Sequence, residues 1–265
     1  MRTSVIRRTA VAATAISLAL LVTACGGEKG EGGTDKGKAG ATAAAEPAAK
    51  ALTAAELEKL TLADADVKGH KVSKAGPEDE VAADKVVVDK ADCKPLADAV
   101  AAVALGDAKA TVKRKVVEEP KKGTTDKTDL DDMTDKDIED ALGASLNMTA
   151  TMVSLSSYDA KGAEEAVATL RTAATACAGG FTMTMGTDKS KVVKVEEAKV
   201  SGGQEAAAWT LVSEQDGMKM PHKLALVRQG STLASFSAIN IGAMASGKDF
   251  PLPTAVIDAQ AAKLG

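Results

Sequence analysis

Hydrophobic spacing is clearest in the second half of the chain. Ala163, Val167, Leu170, Ala174 and Cys177 recur at intervals of four, three, four and three, the spacing that aligns side chains on one stripe of an α-helix. Asp159 stands where an N-cap is expected, and Gly179-Gly180 provides the stop. From Phe181 the period changes to two. Phe181, Met183 and Met185 alternate with threonine, and strand-like runs follow over 191–200, 205–213, 222–228 and 232–239, separated by turns such as Ser201-Gly202-Gly203 and Gln229-Gly230. Successive strands joined by short turns predict an antiparallel sheet, and a last helix is predicted over 254–263, behind Pro251 and Pro253.

In the first half, Thr53-Ala54-Ala55-Glu56 matches a capping box and opens a short helix through Leu57 and Leu60. Residues 81–88 predict a strand. A helix is predicted from Asp92 to near Gly106, with Cys93 at its amino end, Pro95 in its first turn and Leu96, Val100 and Val103 on one face. Residues 111–118 predict a strand; 144–156 reads as a strand, with a helix left open by so short a pattern. Strands clustered after helices, without strict βαβ alternation, predict an α+β fold: a single domain over 52–265, an antiparallel sheet with helices packed mainly on one face.

The first 24 residues belong to a different category. Arg2, Arg7 and Arg8 precede an apolar run that closes on Leu21-Val22-Thr23-Ala24-Cys25, which reads as an export signal ending in a lipobox. On this reading residues 1–24 are a cleaved signal peptide and the Cys25 thiol carries a diacylglyceryl group at the mature amino terminus. A membrane-spanning helix needs about 20 predominantly apolar residues, and 10–22 falls short. Arg7-Arg8 leaves twin-arginine export open beside the general secretory route. Residues 25–51 then form the lipidated cysteine and a tether, Gly-rich and too poor in large apolar side chains to offset the entropy of folding. The expected location is the extracytoplasmic face of the cell membrane.

Three cysteines in an exported chain ask for an explanation. With Cys25 on lipid, Cys93 and Cys177 remain, in an oxidising compartment where a pair forms a disulfide; two buried free thiols are the competing reading. Charge narrows the partners. Three of the 33 basic residues precede Cys25, so the mature chain carries 30 against 37 acidic ones, unsuited to a nucleic-acid surface. The one compact basic run, Lys113-Arg114-Lys115, lies on a predicted strand. Aromatic residues make up 2% of the chain, which leaves little for base stacking or cation cages.

Candidate chemistry is sparse. The chain has no Gly-x-Ser-x-Gly elbow, no Ser-x-x-Lys, no P-loop and no dinucleotide fingerprint. Its two histidines read as exposed polar positions: His70 in a Gly69-His70-Lys71 turn, His222 behind Pro221 at a strand start. Neither has ligand spacing for zinc. In the acidic run 126–140, carboxylates at Asp129, Asp131, Asp135, Asp137 and Asp140 approach a calcium-loop pattern, but Met133 and Thr134 occupy its fifth and sixth positions and the last ligand is Asp. A solvated acidic loop leading into a short helix is the plainer expectation. No catalytic residue, metal or cofactor is assigned.

The predicted helix bearing Cys93, the Ser156-Ser157-Tyr158-Asp159 lead-in to a helix ending at Cys177, and the antiparallel strands that follow together resemble the extracellular sensor domain of actinobacterial serine/threonine kinases and related lipoproteins. The resemblance spans roughly Leu52 to Ile241 and departs from the pattern in having one bridge where two are expected. It implies a module that senses an unidentified small molecule or protein, with no catalytic residues; membrane lipid is the partner expected from the Cys25 anchor. An extracytoplasmic enzyme is the alternative. That reading needs a pocket where titratable groups converge, whereas a binding module fits a mainly apolar or neutral groove.

Overall fold

Period-two alternation lets each strand serve two cores. In β7 (Glu205–Gln215), Ala207, Trp209 and Leu211 face one side of the sheet and Ala208 the other; in β8 (Met218–Gln229), Leu224 and Leu226 oppose Ala225 and Val227. The computed structural model of the chain describes residues 49–120, 134, 143 and 146–265. The signal-like segment, Cys25, the Gly-rich stretch and, Thr134 apart, the acidic run 126–140 lie outside the described residues.

The remaining strands are β1 (His70–Lys74), β2 (Val86–Val88), β3 (Ala110–Glu118), β4 (Thr149–Ser157), β5 (Phe181–Met185), β6 (Asp188–Ala198) and β9 (Thr232–Asn240). The nine described strands form one antiparallel sheet in the order β1-β3-β4-β9-β8-β7-β6-β5-β2. The expected α+β class and antiparallel sheet are therefore present. The main helical layer, α2 (Lys94–Val100) and α3 (Gly162–Ala176), lies on one face and shares a core with Tyr158, Phe181 and Trp209. A smaller layer, α1 (Ala54–Leu60) and α5 (Thr254–Leu264), covers the other over Val116, Leu155 and Phe236. A short α4 (Ile241–Ser246) follows β9.

The five stripe residues of α3 are all buried. At its end Cys177 is bonded to Cys93, which caps α2, across a Cα–Cα distance of 5.8 Å. The capping box at Thr53 and Glu56 forms as expected.

Four local expectations are corrected. Residues 83–85 make a 3-10 turn, so the strand expected from 81 begins at Val86. Asp159 does not cap α3, which starts at Gly162; its carboxylate instead accepts the Ala51 N–H at 3.0 Å. Residues 70–74 form an edge strand, not a turn. The helix from Asp92 is shorter at both ends: Ala91–Cys93 is a 3-10 turn, and α2 stops at Val100.

The early stop has a tertiary cause. Ala102 adopts a left-handed φ of 52°, with its N–H donating to the Ala99 carbonyl and the Val103 N–H to that of Asp98, a Schellman closure made without glycine. Beneath it, Ser237 Oγ donates to the Val100 carbonyl at 2.7 Å and Ser154 Oγ to that of Ala102 at 3.3 Å. Two sheet hydroxyls thus satisfy the carbonyls that a longer helix would have paired internally.

Candidate functional site

Because α2 ends at Val100, the helical layer does not reach the end of the sheet. The uncovered floor consists of Met152 on β4, Ser237 and Ile239 on β9 and His222 on β8, and it opens as a cavity of about 360 Å³. The end of α2 forms one wall, and Val81 and Met185 close the side. Small-molecule sites span roughly 300 to 1,000 Å³, so the volume is at the compact end. At the edge, Lys115 Nζ donates to Asp79 Oδ1 at 2.6 Å. That bond is the main reason the Asp79 carboxyl lies below the ordinary carboxylate range; the Gly76 N–H adds to it.

His222 departs from its expected placement. β8 begins at Met218, so Pro221 and His222 lie within it. Pro221 is tolerated because β9 pairs with β8 only from Lys223 onwards, and the missing N–H leaves no ladder bond unmade. The His222 ring faces the α2 side. Its Nε2 lies 3.1 Å from Ser213 Oγ, and its Nδ1 is out of solvent with no hydrogen-bond partner. Burial pushes its pKa down to about 4, so the ring is neutral at pH 7. Sequence reasoning missed this residue. The available signal was Asp216-Gly217, at φ 53° and 80°, a two-residue hairpin turn that fixes the start of β8 and carries His222 into the strand.

Ser213 and His222 do not constitute a nucleophile and its base. Ser213 is fully buried, its hydroxyl lies 3.3 Å from the Met220 carbonyl, and no carboxylate orients the imidazole as a triad requires. His70 is far from this pair, on the edge strand β1, with Nδ1 3.1 Å from the Lys68 carbonyl. The basic run is also dispersed: Arg114 pairs with Glu58 of α1 on one face, and Lys115 with Asp79 on the other. Tyr158, buried, donates to the Leu105 carbonyl at 2.7 Å, and burial pushes its pKa up to about 12, so it is structural.

A wider depression of about 670 Å³ runs between α2 and α3, but it is lined mainly by alanine and threonine and gathers no unpartnered buried atom. Among the described residues no group of three or more His, Cys, Asp and Glu is placed to hold a metal ion. No described helix is long and apolar enough to cross a membrane.

Fold and cavity define an α+β domain built on one open antiparallel sheet, with a compact, mainly apolar pocket where its helical layer stops. No family model matches the chain, and no curated protein matches it. Among solved structures, the chain is similar to the extracellular domain of PknH from Mycobacterium tuberculosis, with 14% identity and a TM-score of 0.43 over 81% of this chain and 95% of that one.

Proposed function

We propose that this chain is a lipid-anchored extracytoplasmic binding module that takes a small molecule in the cavity beyond α2, and that it is not an enzyme. In this reading residues 1–24 direct export, Cys25 carries the lipid, the segment after it forms the tether up to Ala49, where the chain docks on the domain, and the α+β domain holds the ligand. The observation that carries it is the pairing of an apolar cavity with one solvent-excluded, unpartnered polar atom, His222 Nδ1. Buried polar atoms are almost always paired, and a bound molecule supplies the missing partner. The charged groups at this cavity, Lys115 and Asp79, neutralise one another, and no nucleophile with its base converges on it.

Two measurements test the two halves. Chemical-shift mapping of the full chain against a panel of small amphipathic compounds should perturb His222, Met152 and Ile239 together; a panel that leaves all three unmoved rejects the site. For the anchor, the mature protein from the membrane fraction should begin at Cys25 and carry the mass of a diacylglyceryl group on that residue. A mature amino terminus at Cys25 with no added lipid mass, or a chain that still begins at Met1, would reject lipid attachment at Cys25.

A further inference from the structure

The hydrogen-bond polarity of the cavity can be worked out atom by atom. The Met220 carbonyl can only accept, so its contact with Ser213 Oγ uses the single serine hydroxyl proton. With the serine proton assigned to that carbonyl, Ser213 Oγ presents only lone pairs to His222, and the proton between them is assigned to Nε2, an assignment that the spectrum of the free protein checks directly. Nδ1 therefore carries a lone pair and no hydrogen. The two ring nitrogens diverge. With Nε2 turned to β7, Nδ1 is turned towards β9, the side on which Ser237 and Ile239 line the cavity. Ser237 follows the same pattern, because its proton is donated to the Val100 carbonyl and only lone pairs remain.

The polar atoms of the cavity floor thus accept hydrogen bonds and offer none. Thr151 also meets the cavity, but it alternates with Met152 along β4 and belongs to the set that turns its side chains to the other face of the sheet, with Val153 and Leu155. The remaining lining is aliphatic or thioether, and Lys115 and Asp79 at the edge satisfy each other. A charged ligand would find no free counter-charge here and would lose its hydration without return. We infer that the site selects a compact, uncharged, mainly apolar molecule bearing a hydroxyl or N–H group, which donates to His222 Nδ1. This rests on the binding reading above and specifies the ligand's chemistry.

The test uses the full chain labelled with 15N-histidine, in which His70 and His222 are the only two rings, together with phenol, indole and cyclohexanol, each beside its O- or N-methylated counterpart. In the free protein His222 should show the Nε2–H tautomer; a protonated Nδ1 overturns the inference without any variant. The parent compounds should shift Nδ1 of His222, leave His70 in place and bind at least tenfold more tightly than the methylated forms. In His222→Leu, checked for cooperative unfolding, that preference should disappear. Equal binding of both series at the cavity leaves the binding reading standing and overturns the donor requirement. Failure of every compound to reach the cavity overturns both.

Discussion

Protonating His222 in the folded chain would place a charge beside Met152, Ile239 and the end of α2, with no counter-ion at Nδ1. The unfolded chain pays no such penalty. Because burial lowers the folded pKa from 6.5 to about 4, acid protonates the unfolded state first. The stability contributed by this residue is complete above pH 6.5 and is lost as pH falls through the interval down to about 4. A full difference of that size corresponds to about 3 kcal/mol. Chemical denaturation from pH 7 to 4 should show this loss in the native sequence and its absence in His222→Asn. Carboxylates such as Asp79 and Asp66, held low by lysine hydrogen bonds, weaken the fold in both proteins only below their own ordinary range.

At the scale of elements, α2 depends on a residue ill suited to its role. Left-handed backbone costs an L-residue roughly 1–2 kcal/mol, and Ala102 adopts it at φ 52°. Ala102→Gly should relieve that strain and raise stability by up to about 1 kcal/mol, the greater freedom of glycine in the unfolded chain offsetting part of the gain. An unchanged or lower melting temperature would show that the strain is already absorbed. The same site shows where sequence reading reaches its limit. The α3 stripe and the threonine-spaced β5 were legible because burial on one face imposes a local period. The end of α2 was not, because Ser154 and Ser237 fix it from strands remote in sequence. β1 was missed for a related reason: at the sheet edge, His70 to Lys74 shows no fully buried position to betray a strand.

Across the whole molecule, the bridge joins two helices whose attachment sites are separated by 84 positions. Both cysteines are buried in the α2–α3 core, and the chain commits few aromatic side chains to hold that core by area alone. Replacing both cysteines by alanine should cost about 2–4 kcal/mol, which for a domain of this size lowers the melting temperature by roughly 5–15 °C. A melting curve that does not move would mean that packing alone suffices. The cysteine pairing was legible from a count of three. The cavity was not, since its atoms come from β3, β4, β5, β8, β9, the end of α2 and the segment after β1, and only the completed sheet brings them together.

One small set of bonds at the start of the described chain also bears on mechanics. Ala51 N–H donates to Asp159, Leu52 N–H to Ser157 Oγ at 2.9 Å, and Ala160 N–H to the Ala49 carbonyl at 2.7 Å. Tension arriving along the backbone ahead of Ala49 is therefore delivered to the exit of β4, third from one edge and hydrogen-bonded on both sides, so a pull from that direction loads an interior strand before either free edge of the sheet.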